Sequence, residues 1–178
     1  MGKQTISAIA AAVACCSFTA PATAACTIVL GKGWAFAISV PDGWSSICGP
    51  EAPGGTALFL WPANQSEESQ AVYLYVTASV KANATLPEYV TNSQKQFTDA
   101  NPNAKITRVE SQPHRSFAGY ETVQISNSRG AREEIVAYVE APTAFFTVAI
   151  TAASESLLQQ HKATYFELLA SMLPMERR

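Results

Sequence analysis

The chain has 178 residues, 48% hydrophobic and 15% charged, which excludes a disordered composition and supplies apolar surface for a core of ordinary size. Twelve Lys and Arg against fourteen Asp and Glu leave a net charge of -2 with no polybasic run, which argues against nucleic acid or an anionic membrane as main partner. Past the first two dozen residues, what remains is the size of one domain.

Those first residues read as an export signal. Lys3 is a minimal positive start, Ile6 to Ala14 is apolar and alanine-rich, and Pro21 precedes Ala22-Thr23-Ala24, a small-x-small site for signal peptidase. The expectation is a leader over residues 1–24 and a single mature domain over 25–178, periplasmic or secreted. The apolar run is too short and too diluted by Ala, Ser and Thr to cross about 30 Å of hydrocarbon, so no membrane span is expected. Losing Lys3 with the leader makes the net charge one unit more negative.

Cys15 and Cys16 fall in the leader, and Cys26 and Cys48 remain. In an oxidising compartment, two cysteines 22 positions apart are most simply a disulfide. A loop of that size is worth about 3 kcal/mol on the chain-entropy model. The alternative makes Cys26 a lipid-anchored first residue behind Ala25, although Thr23 stands where an aliphatic residue is usual. A catalytic or metal-binding thiol ranks third, with no His near it in sequence.

Trp34, Phe36, Ile38 and Val40 alternate with small residues, the period of a half-buried strand, and Pro41-Asp42-Gly43 predicts a turn with loop beginning around Trp44. Ala57 to Trp61 and Val72 to Val80 read as a hairpin with a long polar connection, Pro62 to Gln70. Thr85-Leu86-Pro87-Glu88 has capping-box spacing, and Leu86, Tyr89, Val90 and Phe97 share one face of a helix ending near Asn101-Pro102. Strand patterns follow from Ile106 to Glu110, Tyr120 to Ile125, Ile135 to Val139 and Phe145 to Thr151, a four-strand meander with a turn at Asn127 to Gly130. Ser154 caps a last helix whose Leu157, Leu158, His161, Tyr165, Leu168, Leu169 and Met172 form an apolar face, and Pro174 lies just past its end. The fold class expected is α+β, an antiparallel sheet with helices packed on its faces.

The run Phe36-Ala37-Ile38-Ser39-Val40-Pro41-Asp42-Gly43-Trp44 resembles the opening of the PsbP, DcrB and Mog-like superfamily, and the order of elements from Gly31 to Leu173 is similar as well. The resemblance implies a PsbP/Mog-like α/β/α sandwich. It also implies a binding or accessory role rather than catalysis, because members share a scaffold and not an activity: photosystem extrinsic subunits, bacterial envelope proteins, a Ran-binding factor and effector-secretion adaptors. It carries no ligand or catalytic set onto this chain.

The residues themselves offer no catalytic constellation, no cofactor motif and no metal-ligand spacing. His114 sits beside Pro113 in an expected exposed loop, and His161 lies on the apolar helix face in a packing role. Glu133 and Glu134 are adjacent in a strand, so they point to opposite faces. Gly31-Lys32-Gly33 and Gly54-Gly55 lack the setting of a phosphate loop and read as turns, and Ser45-Ser46 has no nucleophile-elbow frame. Asn64 and Asn83 match glycosylation sequons, which matter only in a eukaryotic source. Tyr73 and Tyr75 share a strand face opposite Val72, Leu74 and Val76, and either that face is partly open or a second helix covers it.

The function expected is an exported, non-catalytic binding or accessory protein of the bacterial envelope that holds a protein or small ligand. The alternatives are an immunity or effector-carrier protein, and a hydrolase or metal enzyme assembled only in the fold. The expected partner-binding residues are Trp44, Trp61, Glu67 and Glu68, because the long connection carries the two acids and the two tryptophans flank it.

Overall fold

Alternation of apolar and polar residues sets most of the strands. The computed structural model describes residues 26–66, 70–109, 116–117, 119–128 and 130–175. In chain order the elements are β1 (Cys26–Gly31), β2 (Trp34–Ser39), β3 (Trp44–Cys48), β4 (Leu58–Pro62), β5 (Val72–Val80), α1 (Leu86–Ala100), β6 (Lys105–Val109), β7 (Gly119–Ser128), β8 (Arg132–Glu140), β9 (Ala144–Ala152), α2 (Glu155–Ser171) and β10 (Leu173–Met175). The expected leader, His114 and the pair Glu67 and Glu68 lie outside the described residues.

Seven strands form an antiparallel sheet in the order β3-β4-β5-β9-β8-β7-β6, and β1-β2-β10 form a second sheet of three. The expected meander is β6 to β9, and the expected hairpin is β4 with β5, paired Leu58↔Val76 to Leu60↔Leu74. The α+β class therefore stands. Among the described residues, no helix is long and apolar enough to cross a membrane.

Three strands go beyond the sequence-based expectation. β1 pairs with β2 through a two-residue turn, Lys32-Gly33, that closes on Gly31↔Trp34. A Cβ on Gly31 would stand 2.1 Å from the Trp34 ring, so the indole packs where only glycine leaves room. β10 adds to the other edge of β2, Leu173↔Ala37 to Met175↔Ala35. Trp44 opens β3 rather than a loop, opposite Pro62. The Pro41-Asp42-Gly43 turn, closed by Trp44 N–H donating to the Pro41 carbonyl at 3.1 Å, passes the chain from the small sheet to the large one.

The main core lies between the large sheet and a cover made of α2 and the small sheet. Phe36, Ile38, Leu58, Leu60, Val72, Leu74, Val76, Phe146, Val148, Ile150, Leu158 and Tyr165 are all fully buried there. Trp34, Phe36 and Phe146 meet ring to ring, Phe36 and Phe146 edge-on at 5.2 Å. The Tyr165 hydroxyl donates to the Val148 carbonyl at 3.0 Å, and burial pushes its phenol far above the usual range. Ser154 caps α2, its Oγ accepting from the Leu157 N–H at 3.3 Å. On the opposite face α1 packs Val90 against Val123, Ile125, Val136 and Tyr138. Its capping box forms as expected: the Thr85 N–H and hydroxyl both donate to Glu88 Oε2 at 2.8 Å, which holds that carboxyl below its usual range.

Cys48, at the end of edge strand β3, is exposed and a free thiol in this structure, so the expected bridge to Cys26 is not formed in it. Cys26 opens β1, and its side chain lies outside the described residues.

Candidate functional site

The site begins with two short side chains in a central strand. In β9, Ala149 pairs with Tyr75 of β5 and Val136 of β8, and Thr151 pairs with Tyr73 and Glu134. Side chains on one sheet face stand side by side in register, so Ala149 and Thr151 leave a trough between taller neighbours. α1 sits over the β7–β8 side and leaves the β4–β5 side without a helix. Phe97 of α1 forms one wall and the rings of β4 and β5 form the other. The resulting cleft holds about 460 Å³, with Pro53, Gly54 and Thr56 at one rim.

The ring wall is continuous. Trp61 and Phe59 have centroids 5.9 Å apart, Phe59 and Tyr73 stack at 5.2 Å with 29° between planes, and Tyr73 and Tyr75 follow at 6.2 Å. The Arg132 guanidinium lies over Tyr73, 5.5 Å from its centroid, and both of its terminal nitrogens donate to the Gln70 carbonyl at 3.5 Å.

The floor is polar. Glu134 is 5% exposed, and Ser128 Oγ donates to its Oε1 at 2.7 Å. Thr151 is 1% exposed, and among the described residues neither its Oγ1 nor the buried Nε2 of Gln70 has a hydrogen-bond partner. A buried polar group left in that state destabilises by about 1–3 kcal/mol. The aromatic wall and polar floor give the cleft the makeup of a small-ligand site.

The structure separates the residues singled out from sequence. Trp61 extends the ring wall, but Trp44 lies on the opposite face, against the His161 ring at 5.5 Å and partly buried in the main core. Parity in β3 and β4 decides this, since Trp44 pairs with Pro62 and Ser45 with Trp61. No single surface therefore holds both tryptophans. His161 has the expected packing role, and burial holds its imidazole below the usual range. Of the long connection, the described ends are tied down: Ala63 N–H donates to the Gly43 carbonyl at 2.8 Å and Ala71 N–H to Gln65 Oε1 at 2.9 Å. Glu133 and Glu134 do point to opposite faces, and the cleft makes Glu134 the informative one. Sequence reasoning passed over it together with Thr151 and Phe97. Among the described residues, no three His, Cys, Asp or Glu side chains gather as a metal site.

An antiparallel sheet with a helix on each face and a cleft beside one helix defines a layered α+β scaffold with a ligand-sized recess. Among solved structures, the chain is similar to cyanobacterial PsbP (CyanoP) from Synechocystis, with a TM-score of 0.57 and 14% identity over 88% of this chain and 95% of that one. It is also similar to PA94, a protein of unknown function from Pseudomonas aeruginosa, with a TM-score of 0.48 and 14% identity over 85% of this chain and 99% of that one. No family model and no curated protein matches the chain. The fold is PsbP-like, as the opening motif implied.

Proposed function

We propose that the protein is an exported, non-catalytic accessory protein of the bacterial envelope that holds a ligand or partner in the aromatic cleft. The observation that carries this reading is the cleft itself, where the rings of Phe59, Tyr73 and Tyr75 form one wall opposite Phe97 in the gap that α1 leaves open. The leader-like residues 1–24 support export, and the PsbP-like scaffold supports an accessory role. The protein acts as a soluble domain, with Cys26 bonded to Cys48 rather than lipidated.

Two measurements test the reading. Intact mass of the exported protein is expected to show a chain starting at Ala25 or Cys26, without an acyl group and two mass units below the reduced form. An uncleaved leader overturns the export claim, and an acyl mass or the mass of the reduced chain overturns the pairing. Native mass spectrometry of protein isolated from its own envelope is expected to show a stoichiometric bound species that Tyr73→Ala loses. Identical spectra for both proteins overturn the cleft as the binding site.

A further inference from the structure

The two sides of the small sheet differ in what they meet. Val29, Phe36 and Ile38 turn inward to the main core, so strand alternation turns Ile28, Leu30, Ala35 and Ala37 outward. β10 extends that outward face with Leu173 beside Ala37 and Met175 beside Ala35. Ile28, Leu30, Leu173 and Met175 are 56%, 58%, 51% and 41% exposed. Among the described residues, the one other exposed large hydrophobic side chain is Val80, at the end of β5. Exposed hydrophobic residues scattered singly are ordinary, whereas a contiguous set marks a place of contact.

What the face lacks decides what fits it. No Asp, Glu, Lys or Arg occurs in β1, β2 or β10. A charged partner or an anionic headgroup would find no counter-charge there. A second copy of the chain needs none, because a two-fold interface sets the patch against itself. The face also supplies both halves of a packed contact: Ile28 and Leu30 are exposed on it, and at its β10 edge Ala35 and Met175 border a recess of about 320 Å³ lined also by Pro142, Phe146 and Pro174. Strands about 4.8 Å apart, the longer ones about 20 Å in length, give each copy a face of roughly 15 by 20 Å. With its rim, a pair of such faces buries on the order of 1,000 Å², the low end for a specific interface.

We propose that the outer face of the small sheet joins two copies of this chain in a weak two-fold dimer. Ile28, Leu30, Leu173 and Met175 of one copy pack against the same face of the other, at the spacing of about 10 Å that stacked sheets adopt. The dimer stands independently of the cleft, which lies on the far side of the large sheet and stays open in the pair.

Analytical ultracentrifugation of the mature protein between about 1 µM and 1 mM tests this. The mass is expected to rise reversibly from monomer to dimer and stop there, with a Kd of about 10–100 µM. Leu30→Asp and Leu173→Asp put a charge on the face, and each is expected to weaken association about tenfold or more. Both side chains are exposed, so the urea midpoint should not move. Val80→Asp, an equally exposed change away from the face, is expected to leave the Kd as it is. A protein that stays monomeric to about 1 mM overturns the proposal. So does growth beyond the dimer, or a Kd that neither face variant alters, or one that Val80→Asp alters equally. Sedimentation with neutral phosphatidylcholine vesicles is the remaining arm. Monomeric protein that binds them, and loses that binding on Leu30→Asp, assigns the face to a bilayer and overturns the second copy.

Discussion

The two faces of the large sheet are built from the same strands to opposite ends. In β5, Val72, Leu74 and Val76 point to the α2 side and are fully buried, while Tyr73 and Tyr75 point to the α1 side and are only half-buried. On the α2 side a 17-residue helix and the small sheet together seal the core. On the α1 side a 15-residue helix covers β7 and β8 and stops short of β4 and β5. One face is closed to hold the fold together, and the other is left partly open with rings and polar groups in the gap. Stability and the proposed binding are therefore separable by residue parity within a single strand.

Substitutions on the two faces should differ most in stability. Phe36→Ala on the sealed side is expected to destabilise by about 3–5 kcal/mol, by opening a cavity beneath Trp34 and Phe146. Tyr73→Ala on the open side is expected to lose about 1 kcal/mol or less, because little of its packing is closed off from water. Urea unfolding of both variants measures the contrast, and equal losses would break it.

Within the sealed side, Tyr165→Phe removes the hydroxyl that reaches the Val148 carbonyl and is expected to lower stability by about 1 kcal/mol, with the ring packing retained. The counterpart on the open side is Thr85→Ala, which removes the hydroxyl at the start of α1. A loss of about 1 kcal/mol is expected. Hydrogen exchange should then show faster opening of α1 and β7 than of α2, and uniform acceleration would contradict independent faces.

The smallest effect is pH-dependent. Burial against Trp44 lowers the His161 imidazole below its usual value of about 6.5, so the folded protein favours the neutral ring. Below that value the unfolded chain binds the proton more readily. Its stabilising contribution is therefore complete above about pH 6.5 and declines as pH falls through the lowered value. His161→Gln is expected to flatten the stability profile between about pH 5 and 7, and denaturation at several pH values would show whether it does.

Local patterns foretold the secondary structure where one residue's neighbours decide it. The β5 alternation, the Thr85 to Glu88 capping box and the α2 stripe from Leu157 to Met172 are all of that kind. β3 was hidden because Ser45 and Ser46 break its alternation, and β10 because a three-residue strand has no period to read. The cleft was legible only in part. Tyr73 and Tyr75 could be placed on one face from spacing alone, whereas Glu134 and Thr151 join them only through the register of β5 with β9, strands far apart in the chain, and of β9 with β8. The same non-local register divided Trp44 from Trp61, which parity within one strand could not reveal.

The small sheet has a consequence for the order of assembly. β2 stands between β1, reached through a two-residue turn, and β10, which follows α2 near the far end of the sequence. Ser39 N–H is held by Ser171 Oγ at 3.0 Å, across a separation of 132 residues. In a chain emerging N-terminus first, β2 cannot gain its second partner until α2 has been made, so one of its edges stays unpaired until nearly everything else has arrived. β10 acts as a latch: its docking joins the earliest and latest segments, and until it closes the edge of β2 is where misassembly and proteases find the chain.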